Sequence, residues 1–189
     1  MLPGFQSPAV GFDQPFEMLE ACHERVQRSV ALLQRLAEHL HRVGNDEPAR
    51  QAAADVLRYF DVAAPHHHED EERHVFPPLL ALPRDAAHAA VHAAVRRLEQ
   101  DHRLMRQLWQ GLREALQRIA QGQEADFSHQ ELELLQRFTG LYDSHIALEE
   151  NVIYPAARVR LDAQAQAAMG MEMASRRGVV STGPTAATR

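Results

Sequence analysis

The sequence predicts an all-α protein, specifically an antiparallel up-down four-helix bundle with an N-terminal arm and a short C-terminal helix. Three observations predict it. Apolar residues recur at steps of three and four along four long stretches, the mark of amphipathic helices. Glycine, proline and capping residues separate those stretches by short links. The second half of the chain also repeats the pattern of the first, so the chain reads as two helical hairpins, each burying its apolar face against its twin.

Residues 1–15 form a packed arm in this reading. Pro3, Gly4, Pro8, Gly11 and Pro15 oppose regular structure, while Phe5, Phe12 and Phe16 are too apolar for a free tail. The bundle spans 16–160. Its first helix, 16–43, carries the stripe Val26, Val30, Leu33, Ala37 and Leu40, which His23 extends by one step. Gly44 closes it, and Asn45, Asp46, Glu47 and Pro48 supply the start of the next. The second helix runs through Ala53, Leu57, Phe60 and Ala64 to His67 and Glu71, with Pro65 bending it or opening a backbone hydrogen bond just before His67 and Pro77-Pro78 ending it. The third, 85–120, has the stripe Val95, Leu98, His102, Met105, Trp109, Leu112, Leu116 and Ile119. Gly122 ends it. Ser128 and Glu131 form a capping box for the fourth, which continues through Leu135, Phe138, Tyr142, His145, Glu149, Val152, Ala156 and Val159. The remainder, 161–189, divides into an Ala- and Met-containing segment at 162–176 suited to a short extra helix and a tail with the composition of a disordered segment.

Composition excludes several classes. Twenty Lys plus Arg against 26 Asp plus Glu give a formal charge of -6, whereas nucleic-acid binding needs clustered positive charge. No apolar run approaches the roughly 18 residues of a membrane span. Cys22 is the single cysteine and the N-terminus does not read as a secretory signal, so the expected compartment is the cytoplasm. No nucleophile triad, phosphate loop or organic substrate pocket stands out, and no catalytic residue is assigned.

Twelve histidines are many for 189 residues, and their placement is informative. HHEDEERHVFP at 67–77 is repeated as HIALEENVIYP at 145–155, which overlays His67 on His145, Glu71 on Glu149, Glu72 on Glu150, Phe76 on Tyr154 and Pro77 on Pro155. His23 and His102 match in the same way on the first and third helices. A His and a Glu four apart share one helical face about 6 Å apart. Four imidazoles and two carboxylates on buried stripes would cost several kcal/mol if unpaired. A metal removes that cost. Imidazole suits iron, zinc, copper or nickel, and four His with two potentially bridging Glu suits a pair of first-row ions: two six-coordinate ions offer about twelve positions, of which these residues fill roughly eight. The candidate metal ligands are therefore His23, His67, Glu71, His102, His145 and Glu149.

At these residues the chain resembles the hemerythrin-like, HHE cation-binding family, over about residues 12 to 160. The resemblance implies two iron ions in a non-haem centre, oxo- or hydroxo-bridged, with Glu71 and Glu149 bridging. Oxygen-carrying hemerythrins add a fifth His on the third helix, where this chain has Leu98 and Arg106. That departure turns the likeness away from oxygen carriage and toward members similar to iron-sulfur-cluster repair proteins or iron and oxygen sensors. The cysteine-bearing N-terminal domain of some repair proteins does not occur in this sequence, which weakens that particular assignment.

The expected function is binding or reaction with a small ligand (O2, NO or peroxide), as sensor, scavenger or iron donor for cluster repair. Its protein partner and any catalytic turnover stay open. The alternatives are a di-iron oxidase or peroxidase, and a ferritin-like carboxylate protein using Glu20-x-x-His23 and Glu99-x-x-His102; Glu20 and Glu99 could instead orient the imidazoles. A helical scaffold without metal is the remaining class. His66 and His68 flank His67 by about 100° and are assigned to solvent or an outer shell. His74 is a minor candidate for a fifth ligand, His88 and His92 a solvated pair, and His39, His41 and His129 surface residues. Cys22, Met105, Trp109 and Tyr142 are assigned to the core.

Overall fold

The structure, a computed structural model, describes residues 10–179, and these are helical without strands. The first helix, α1 (Pro15–Val43), opens with proline at its first position, where the missing N–H would have no helical partner. It closes at Gly44, whose φ of 90° suits glycine and whose N–H reaches the Leu40 carbonyl. Asp46 caps α2 (Glu47–Arg58) by accepting from the Ala49 N–H at 2.9 Å.

The second rod is continuous but not uniform. After α2 come a π-helical turn at Tyr59–Ala63, α3 (Ala64–Asp70), a second π turn at Glu71–Val75 and α4 (Phe76–Leu80). The fourth rod repeats this as α6 (His129–Leu148), a π turn at Glu149–Ile153 and α7 (Tyr154–Arg160). Pro65, Pro77 and Pro155 each fall two residues beyond a π turn. A proline ring collides with the carbonyl four residues back, and the wider turn moves that carbonyl aside. So Pro77-Pro78 does not end the second helix, which runs on to Leu80.

The third rod, α5 (Ala89–Ala120), begins later than the expected residue 85 because Asp85 takes the His88 N–H at 3.1 Å and holds a turn. The predicted capping box opens α6, with Glu131 accepting from the Ser128 N–H at 2.7 Å. Asp162 caps α8 (Ala163–Arg176), the extra helix. Val159, placed on the fourth stripe by register, is instead exposed.

α1 packs on α2 and α6, α5 on the same two helices, and α8 on α1. Two apolar clusters fill the interior. One holds Leu33, Phe60, Leu112, Leu116 and Phe138; the other holds Phe16, Leu19, Phe76, Leu98, Tyr154 and Met173, with Phe12 of the arm packed against it. Phe5 lies outside the described residues, as does the tail from residue 180. Between the clusters every rod presents its polar residues: His23 follows Leu19 and precedes Val26, His102 lies between Leu98 and Met105, and His67 and Glu71 between Ala64 and Val75. His145 and Glu149 lie between Tyr142 and Ile153.

Candidate metal centre

All six expected side chains are buried and converge in that polar layer. His23, His67, Glu71 and Glu149 form one group whose donor atoms lie within 4.8 Å of one another, and Glu71, His102, His145 and Glu149 form a second. Both groups contain the same two carboxylates. In each motif copy the glutamate is the first residue of a π turn, so the local change of helical phase starts at the residue that both groups share.

The contacts run crosswise between the repeats. His23 Nδ1 lies 2.8 Å from Glu150 Oε1, and His102 Nδ1 lies 2.9 Å from Glu72 Oε1. The lone histidine of each hairpin is thus oriented by the second glutamate of the other. His145 Nδ1 faces Asp101 at 3.4 Å. A carboxylate on Nδ1 fixes the tautomer and leaves Nε2 to face the centre, as in metal-ligating histidines. There His23 Nε2 is 3.1 Å from Glu149, His145 Nε2 3.0 Å from Glu149 and His102 Nε2 3.4 Å from Glu71. Despite this proximity, Glu71 Oε2 and both oxygens of Glu149 receive no hydrogen bond. Buried carboxylate oxygens rarely lack one, and their spacing from the imidazoles is that of donor atoms around a common cation.

Electrostatics agree with that fit. Burial works against charge on His23, His102 and His145, yet the facing carboxylates of Glu149, Glu71 and Glu149 outweigh it and raise all three, His145 to about 10. Burial likewise disfavours ionised Glu149, and the opposing charge of His145 holds its carboxyl well below the usual range. Burial dominates at His67, pushed down to about 3, and at His68, pushed well below its ordinary value. In the absence of a cation, the proton on His145 offsets the charge of Glu149.

Sequence reasoning missed five participants. Although assigned to solvent or an outer shell, His68 is buried, stacks on His102 with ring centres 4.0 Å apart, and joins His102 and His145 in a third group. Its only sequence signal was adjacency to His67. The orienting carboxylates are Glu72, Glu150 and Asp101, rather than Glu20 and Glu99: Glu20 is exposed and bound to Arg158 at 2.9 Å, and Glu99 joins none of the groups. The ferritin-like alternative fails with them. Tyr154 donates to Glu71 Oε1 at 2.5 Å and lies 3.1 Å from His23 Nε2.

The hemerythrin HHE cation-binding domain model matches residues 14–157, a span that contains both motif copies and both lone histidines. The chain belongs to the hemerythrin HHE family. It is also 33% identical over 168 residues to an uncharacterized protein of Haemophilus influenzae strain Rd, covering 89% of this chain and 92% of that one. The HHE assignment and the buried histidine–glutamate groups together make this a cation-binding domain.

Other histidines are accounted for outside the HHE centre. His74 Nε2 pairs with Glu172 of α8 at 2.7 Å, so it is no fifth ligand. His88 bonds Asp85 at 2.7 Å, whereas His92 is buried with Nε2 unpartnered; the two are not a solvated pair. His39 bonds Asp46, and His41 and His129 are exposed. Cys22 is buried, and burial pushes its thiol up. Tyr142 and Met105 are core, and Trp109, half-buried, donates to Asp61 at 3.0 Å. No helix of the described residues is long and apolar enough to cross a membrane.

Proposed function

We propose that this chain is a non-haem di-iron protein that binds or reacts with O2, NO or peroxide as a sensor or scavenger, or donates iron for cluster repair. The observation that carries the reading is the sharing of Glu71 and Glu149 between two four-residue groups. His23 and His67 would hold one ion, His102 and His145 the other, with the glutamates bridging. Iron would supply a redox-active site for a small ligand.

An apolar-walled cavity lies beside that site. Its volume is about 140 Å³, and, walled largely by Phe60, Met105, Trp109, Phe138 and Tyr142, it ends at His68. Its wall combines these apolar side chains with Glu69, Glu72 and Arg106, and its size admits a small ligand such as a diatomic or peroxide. His68, stacked on His102, forms the boundary between this cavity and the imidazoles. Short links support an up-down antiparallel arrangement of the four rods, and a lone buried Cys22 is compatible with a cytoplasmic setting.

Elemental analysis after iron-replete expression, read together with the optical spectrum, tests the proposal. About two irons per chain and a spectrum changed reversibly by O2 or NO are expected. Well under one metal per chain would overturn it.

A further inference from the structure

The two motif copies differ at two positions close to the centre, His68 against Ile146 and Phe76 against Tyr154. Phe76 and Tyr154 occupy equivalent places, Phe76 stacking on His102 at 5.7 Å and Tyr154 on His23 at 5.4 Å. Tyr154 is 1% exposed, and its hydroxyl contacts Glu71 Oε1 at 2.5 Å and His23 Nε2 at 3.1 Å. His67 Nε2 lies 3.5 Å from the same Glu71 oxygen. A cation bound to N and O donors at about 2.0–2.2 Å sets neighbouring donor atoms about 3 Å apart. Tyr154 Oη therefore stands at the separation of an adjacent ligand, not behind the ligands where an orienting group such as Glu150 or Glu72 stands.

We propose, resting on the di-iron reading, that Tyr154 Oη is itself a ligand of the ion held by His23, His67, Glu71 and Glu149. Coordination breaks the phenol O–H bond, forms an O–metal bond and releases the proton to water, with no change of oxidation state. The other ion has no phenol, since Phe76 occupies that place, and has His68 beside its two imidazoles instead. The centre is thereby asymmetric, with oxygen-rich and nitrogen-rich ends.

The test is titration of the full chain with ferric ion, supplied as a weak chelate, followed by visible absorption and resonance Raman. The expected result is a phenolate-to-iron charge-transfer band with tyrosinate ring modes. The band should vanish in Tyr154→Phe, persist in Tyr142→Phe, and gain intensity in Phe76→Tyr. Bound iron without tyrosinate modes in the wild type, or a band that survives Tyr154→Phe, overturns the ligand role while leaving the di-iron reading intact. Failure of the wild type to take up iron removes both. The Raman signature of the wild type decides the point even where a variant does not fold.

Discussion

The glutamates that enter both groups matter more than any one imidazole. Glu71→Ala or Glu149→Ala should take metal content from about two per chain to well under one, whereas His67→Ala should spare the His102 and His145 end and leave about one; elemental analysis of the purified variants distinguishes these outcomes. Glu72 and Glu150 hold Nδ1 of His102 and His23 without facing the centre, so Glu72→Gln and Glu150→Gln should keep stoichiometry while weakening affinity about 10–100-fold, measured by competition with a chelator. Proton competition sets the pH dependence. His23, His102 and His145 are raised, His145 to about 10, so His145 carries a proton at neutral pH that a cation must displace. Metal binding should therefore release protons and tighten as pH rises, an outcome that calorimetry in buffers of different ionisation enthalpy detects.

Among the helices, α8 braces the second rod beside the centre. Asp70 is fully buried and accepts from Arg176 and Arg177, while Glu172 binds His74 and Arg176. Asp70→Ala would strand two guanidiniums that are only partly hydrated, and should cost about 3 kcal/mol, the low end for a broken buried pair, in denaturant unfolding. Burial opposes the charge of Glu172, but Arg176 and His74 outweigh it and lower its carboxyl to about 2. Because the folded value lies below the unfolded one, this stabilisation is full above about pH 4.5 and fades as pH falls toward 2, so α8 amides should lose exchange protection in that window. Gly170 meets the arm so closely that an added Cβ would lie 1.8 Å from the Phe12 carbonyl oxygen. Gly170→Ala should displace α8 or the arm and cost about 1–3 kcal/mol.

Across the whole molecule, the centre separates two apolar clusters and draws a candidate ligand from each of the four rods, so cation binding should be coupled to folding. Chelation should lower the thermal midpoint, since a ligand held only by the folded state at 1,000 times its Kd contributes about 4 kcal/mol. A midpoint indifferent to chelator would contradict this coupling. The four long rods, the capping box and all six inward residues were legible in the sequence, because which side chains share a helical face depends only on local spacing. Three features were not. Pro65 was read as a bend or an opened backbone hydrogen bond and Pro77-Pro78 as a stop, because neither the residues nor their periodicity shows that a π turn will absorb the ring. His68 was assigned to solvent or an outer shell because one α-helical step, about 100°, was assumed to move it off the centre, and its burial against His102 rules out the first of these. The partners of the imidazoles were sought one turn away on the same helix, at Glu20 and Glu99, but lie on neighbouring rods.

What the sequence by itself determined is the repeated hairpin and the identity of the inward His and Glu side chains, since a period of 3.6 residues is a property of the chain alone. Tertiary structure decided which carboxylate meets which imidazole, that His68 turns inward and that the Tyr154 hydroxyl reaches Glu71. Each of these depends on how rods with altered helical phase rotate against one another, and packing of the two apolar clusters sets that rotation.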